Sequence, residues 1–212
     1  MGSALQTTTT RDALVAEIRG QILGGVLKPG DPLTETGLAA TFGVARPTVR
    51  SALQVLASRH LAQQVQGRSH IVPVLDRADV RDLYFVRIPL ELEGVRAIVE
   101  RHLSLDAAER HLEKMERLPM DASWAERVEV HTAFHVAIID AVGSERLSRI
   151  YSTLQDEMQL CLARIQQSYP NPADLAREHR TLLDELRSND LTRAQREMRR
   201  HLERAVKNFE AA

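Results

Sequence analysis

The sequence predicts a mainly α protein in two parts. These are an N-terminal winged helix-turn-helix over residues 1–75 and a C-terminal all-α helical bundle over 76–212. Three observations predict it. Up to about residue 60, apolar residues recur in steps of three and four and are cut by Gly24-Gly25, Pro29-Gly30 and Gly43. The stretch "LAQQVQGRSHIVPVL" then carries β-branched and apolar residues on both sides of Gly67-Arg68, the pattern of a hairpin. From Asp76 onward no strand signal remains, and helical patterns follow one another to the end.

Each element has its own reason. Leu14, Ile18, Ile22 and Leu23 recur at helical spacing, and the Gly-Gly and Pro-Gly pairs stop that helix. A short helix reads from Thr34, a plausible N-cap, to Phe42. After Gly43 a third helix starts near Arg46-Pro47, with proline tolerated in the first turn, and buries Val49, Leu53 and Leu56. Two helices joined by a tight Gly-containing turn form a helix-turn-helix, and the hairpin supplies a two-stranded wing. The bundle helices are expected over 76–103, 106–118, 121–142, 145–168, 172–188 and 190–209. Breaks fall at Ser104, Pro119, Gly143, Pro170-Pro172 and Asn189, and Pro89 should kink or interrupt the first of the six.

The chain has 212 residues, enough for a substantial core without staples. A single cysteine, Cys161, allows no internal disulfide and suits a reducing cytoplasm. No run approaches 18 apolar residues and no signal-peptide core is visible, so a cytoplasmic protein without a membrane span is expected. The net charge of −1 hides an asymmetry. Residues 1–75 carry seven Lys/Arg against four Asp/Glu, and residues 76–212 carry 21 against 25. A small basic part joined to a larger acidic one fits a nucleic-acid-binding module on a sensing or dimerising domain.

The third helix carries the candidate DNA contacts. Arg46 and Arg50 are four apart near its N-terminus, the end that enters the major groove in helix-turn-helix proteins. Either can fork onto guanine or clamp a phosphate. Thr48 can reach a phosphate or a thymine methyl, and Arg68 at the wing tip can reach a neighbouring groove. A solvated surface helix would also carry arginines.

The bundle carries the candidate metal site. His131 and His135 are four apart on one helical face, with His179 and His201 on the inner faces of two later helices. A lone inward histidine is usually a satisfied core residue. Four that converge are costly to bury unless each is hydrogen-bonded or coordinated, and one shared cation satisfies them all. Arg87 also falls on an inward face and wants a carboxylate: either a partner in the fold, such as Glu91, or an anionic ligand shared with the metal.

These residues carry a resemblance. Gly25–Leu33 ("GVLKPGDPL"), Leu38-Ala39 through Gly43-Val44-Ala45-Arg46, and Val49-Arg50-Ser51-Ala52-Leu53 resemble the winged helix-turn-helix of GntR-family transcription regulators. The helical part resembles the FCD ligand-binding domain of the FadR-like subfamily. His135, His179 and His201 match the histidines of that domain's metal-binding pattern, and His131 stands where the family usually has Asp. Ala45 replaces the usual Ser, and Pro47-Thr48 inverts the usual Thr-Pro order. The resemblance implies a metal that does no chemistry but offers open positions to a small carboxylate effector.

The expectation is therefore a homodimeric, metabolite-responsive repressor that binds a palindromic operator in double-stranded DNA. It would hold a divalent transition metal, zinc or nickel, on His131, His135, His179 and His201, and Arg87 would contact the effector. Protons should compete with the metal below about pH 6. A small metal-dependent enzyme is the alternative. Against it, Thr132 stands where the HExxH zinc proteases place their Glu, and no Ser/His/Asp or Cys/His arrangement is present. A metal-stapled bundle with no ligand is a third reading.

Overall fold

A computed structural model describes residues 9–65 and 69–211. It contains two compact units, Met1–Val74 and Leu75–Ala212.

The first unit holds helices α1 (Thr10–Leu23), α2 (Glu35–Phe42) and α3 (Arg46–Ser58) and strands β1 (Pro32–Leu33), β2 (Gln63–Gln64) and β3 (His70–Ile71). Thr34 caps α2 as expected, its hydroxyl accepting from the Gly37 N–H. Gly43 closes α2 at φ +64°, a left-handed conformation that glycine adopts without a Cβ penalty and that turns the chain sharply into α3. Val49, Leu53 and Leu56 are buried, as are Ile18 of α1 and Leu33 of β1, and α1 packs on α3. The expected two-stranded wing is instead a three-stranded antiparallel sheet of order β1-β3-β2. Pro32 and Leu33 pair with Ile71 and His70, so the stretch after Pro29-Gly30 adds a strand that the hairpin pattern did not reveal. Two residues give too short a run for alternation to register.

The second unit is helical among its described residues: α4 (Arg77–Arg101), α5 (Asp106–Glu116), α6 (Trp124–Ala141), α7 (Glu145–Arg164), α8 (Ala173–Arg187) and α9 (Leu191–Ala211). A 3-10 turn at Gln166–Ser168 follows α7, so the helix expected to reach residue 168 ends sooner. Asp76 opens α4 with a reciprocal capping box to Asp79, and Ser123 does the same for α6 with Glu126.

Pro89 does not interrupt α4. Pro89 and Phe85, whose carbonyl loses its helical partner, both sit on the exposed side, where water can replace the missing bond. Gly94 sits where α4 meets α6: a Cβ there would stand 3.1 Å from Ile139 Cδ1. The α4–α6, α6–α7, α8–α9 and α4–α9 packings bring the inner faces of α4, α6, α8 and α9 to one core.

Candidate metal centre and nucleic-acid interface

The four predicted histidines meet. His131 and His135 come from α6, His179 from α8 and His201 from α9, all buried. One ring nitrogen from each lies within 4.8 Å of the others. The four rings are in mutual contact, with the His131 centroid 4.7 Å from His135 and 4.6 Å from His179, and the His201 centroid 4.6 Å from His179 and 5.2 Å from His135. His131 Nδ1 is buried and has no hydrogen-bond partner.

The hydrogen bonds fix two tautomers. His135 Nδ1 stands 2.8 Å from Glu91 Oε2, and His179 Nδ1 stands 2.6 Å from the Leu175 carbonyl. A carboxylate and a carbonyl only accept, so both Nδ1 atoms carry the proton. Each neutral ring then presents a bare lone pair at Nε2. Those two Nε2 atoms face each other at 3.3 Å, and His201 Nε2 also lies 3.3 Å from His135 Nε2.

Burial holds all four imidazoles below the ordinary histidine range. It drives His131 and His201 well below 6.5, His179 to about 3, and lowers His135 despite the opposing pull of Glu91. Neutral imidazole is the ligand form. Proton competition for a metal therefore sets in below the pH 6 that free histidine would give.

Behind His135 lies a buried network on α4 and α7. Arg87 Nε and Tyr151 Oη both donate to Glu91 Oε1, and Arg87 Nη1 donates to Tyr84 Oη. Arg87 and Glu91 are 2% and 0% exposed, so this is an ion pair removed from water. Burial pushes the Glu91 carboxyl up, but Arg87 and then His135 hold it down at about 2. Arg87 thus takes the in-fold partner that its inward position demanded. Glu91 is the residue whose role the sequence understated. It is four residues from Arg87 on the same face, which pointed to the ion pair. Nothing in the spacing pointed to His135, 44 residues away.

Thr132, in the place of the protease glutamate, is buried and donates to the Val128 carbonyl at 2.8 Å. The HxxxH pair therefore has no general base beside it in sequence. Glu91 is engaged with Arg87, Tyr151 and His135.

In the first unit, Arg46 and Arg50 project from the start of α3 and are exposed, and Thr48 between them is half-buried. Both arginines reach Glu35, the first residue of α2: Arg50 Nε to Oε1 at 2.6 Å, Arg50 Nη2 to Oε2 at 2.9 Å, and Arg46 Nη2 to Oε2 at 3.5 Å. Ala45 is the N-cap of α3 and makes no side-chain cap, which leaves that end open where a serine would have bonded it. Arg68 lies outside the described residues.

Comparison with known proteins follows the same division. Residues 10–72 match the family of bacterial regulatory proteins described as the gntR family, and residues 82–204 match the FCD domain. The HTH-type transcriptional regulator BphR of Paraburkholderia xenovorans is 31% identical over 209 residues, covering 92% of this chain and 83% of BphR. The gluconate operon transcriptional repressor of Bacillus subtilis is 23% identical, covering 88% of this chain and 79% of the repressor. Among solved structures, a GntR transcriptional regulator from Rhodococcus sp. RHA1 superposes with a TM-score of 0.84 at 22% identity, over 95% of this chain and 98% of that one. Escherichia coli McbR/YncC gives 0.75 at 22% identity, over 97% and 99%. At that identity these two structures support the fold alone.

Proposed function

This chain belongs to the GntR family of bacterial regulatory proteins, with an FCD domain as its second unit, and from that premise we propose that it is a DNA-binding repressor which senses a small carboxylate through a divalent metal. One observation carries the metal reading. His135 and His179 turn bare Nε2 lone pairs on each other at 3.3 Å, with protons already assigned to both Nδ1 atoms. Two lone pairs at that distance repel unless a cation lies between them. Two nitrogens bound at about 2.0–2.1 Å to one tetrahedral zinc stand about 3.3–3.4 Å apart. The unpartnered His131 Nδ1 supplies a further donor.

The residues therefore fit the group. His131, His135, His179 and His201 would hold it, and an all-imidazole set favours zinc, nickel, copper or iron over magnesium or calcium. When bound, the ion supplies positive charge and Lewis acidity to an anionic oxygen. The chain's own residues do the rest. Glu91 aims His135, and the Leu175 carbonyl aims His179. Arg87 balances Glu91, so the ion's charge is left for an incoming carboxylate. With Nε and Nη1 engaged, Arg87 acts on that anion chiefly through its field.

On the DNA side we assign Arg46, Thr48 and Arg50 to operator contact, and Arg68 to the wing's share of it. One recognition helix reads few base pairs, so a homodimer on a palindromic operator is the expected assembly. The repressors among the relatives, the gluconate one above and a probable D-xylose utilization operon repressor of Paenarthrobacter nicotinovorans, favour repression.

The test is a gel shift on the DNA upstream of the protein's own gene. Candidate carboxylates should release that DNA from metal-loaded protein and not from chelator-treated protein. Equal release from both would remove the metal from the sensing step.

A further inference from the structure

We propose that Glu35 is a positioning residue for base recognition, holding Arg50 side-on so that the end-on edge of its guanidinium is presented to guanine in the major groove. The inference rests on the reading of α3 as the recognition helix. Arginine has five N–H donors in a planar fork. Glu35 takes the Nε–H and one Nη2–H in a bidentate pair at 2.6 and 2.9 Å. Three N–H groups remain, and two of them, one on Nη1 and one on Nη2, form the end-on edge, whose spacing matches guanine O6 and N7. Fixing one edge of a rigid plane fixes the direction of the other.

Exposure agrees with that direction. The Glu35 side chain is 18% exposed, against 59% for Arg50 and 62% for Arg46. The carboxylate therefore sits behind the arginines, and the arginines project past it. Arg46 Nη2 stands 3.5 Å from the same carboxylate, so the spacing of the two guanidiniums is set by one group. Arg50's hydrogen bond holds the Glu35 carboxyl below the usual carboxylate range, so it is ionised wherever the protein binds DNA.

The surroundings are polar and open. Glu35, Arg46 and Arg50 line a groove of about 680 Å³ with Gln54, Gln64 and His70, which joins the α2–α3 pair to the wing strands. The buried His70 Nδ1 in this groove has no partner. A carboxylate on a face that meets phosphates weakens sequence-independent attraction. Its geometric effect on Arg50 is what offsets that loss, and that makes the proposal testable.

The experiment uses the full chain and duplexes that the wild type selects from a random pool. Kd is measured by fluorescence anisotropy for a selected duplex, for a scrambled duplex, and for the selected duplex with 7-deazaguanine replacing each guanine in turn. The proteins are wild type, Glu35→Gln, Glu35→Ala and Arg50→Ala, each checked for an unchanged thermal midpoint. Glu35→Gln and Glu35→Ala should bind the scrambled duplex at least as tightly as wild type. Their preference for the selected duplex should fall at least about fivefold, the low end for a lost bidentate base contact. The penalty for 7-deazaguanine at one position should be present in wild type, smaller in both Glu35 variants and absent in Arg50→Ala. Wild-type discrimination in both Glu35 variants, with the 7-deazaguanine penalty intact, would overturn the positioning role while leaving α3 as the reader. Wild-type discrimination in Arg50→Ala would overturn the recognition-helix assignment itself, and the proposal with it.

Discussion

Replacing Glu91 by Gln keeps the side-chain shape and removes one buried charge. The carboxylate now faces Arg87, Tyr151 and His135 together. A Gln carbonyl can still accept, but its NH2 end turns donors toward donors, and the Arg87 guanidinium, 2% exposed, loses its counter-charge. Breaking a buried pair from one side costs roughly 3–5 kcal/mol, against a total stability of about 5–15 kcal/mol for a domain. For an m-value of about 2 kcal/mol/M, the urea midpoint should fall by about 1.5–2.5 M. The double variant Arg87→Met with Glu91→Gln leaves no unpaired charge and should recover much of that loss. Both variants loosen His135, so metal affinity should drop about 10–100-fold in each. Urea unfolding followed by far-UV circular dichroism, with a competitive metal titration, reads all of this. A Glu91→Gln protein within about 0.5 kcal/mol of wild type, or a double variant no more stable than the single, would refute the account of this core.

Further outcomes can be checked independently. Metal-stripped protein should lose stability as pH falls below 6.5. The four imidazoles are held below that value in the fold, so the unfolded chain takes up protons that the folded chain refuses. The slope approaches about 1.4 kcal/mol per pH unit for each histidine, and urea melts at pH 7.5, 6.5 and 5.5 that superpose would contradict it. Gly94→Val should destabilise the helical unit by about 1–3 kcal/mol through crowding of Ile139, while Gly94→Ser should cost less; equal thermal midpoints would mean that the contact yields freely. Arg46→Ala combined with Arg50→Ala should weaken operator binding by roughly 1–3 kcal/mol or more, and wild-type affinity in gel shifts would place recognition elsewhere. Light scattering should report a homodimer, and a stable monomer that binds a half-site tightly would count against the assembly.

Much of this was legible because periodicity reports long helices well. The inward faces of the second unit were readable from steps of three and four, and four histidines on those faces meet as the spacing implied. What was not legible depends on contacts between distant segments. Strand β1 is two residues long and exists only through pairing with β3. The continuity of α4 through Pro89 depends on which side of the helix faces water. The link from Glu91 to His135 depends on how α4 and α6 pack. Glu35 reads as an ordinary first-turn acid at the N-terminus of α2, and its bond to Arg50, fifteen residues on, follows from the turn that sets α2 against α3.

The measurement that bears most directly on the central claim is elemental analysis of protein purified without a His-tag or chelator, followed by calorimetric titration with small carboxylates before and after metal stripping. The account predicts about one transition-metal ion per chain, zinc or nickel foremost, absent from His135→Ala and His201→Ala protein. It also predicts carboxylate binding that vanishes on stripping and returns on reloading. A metal-free protein that cannot be loaded, or carboxylate binding unchanged by stripping, would contradict it and leave His131, His135, His179 and His201 as core residues.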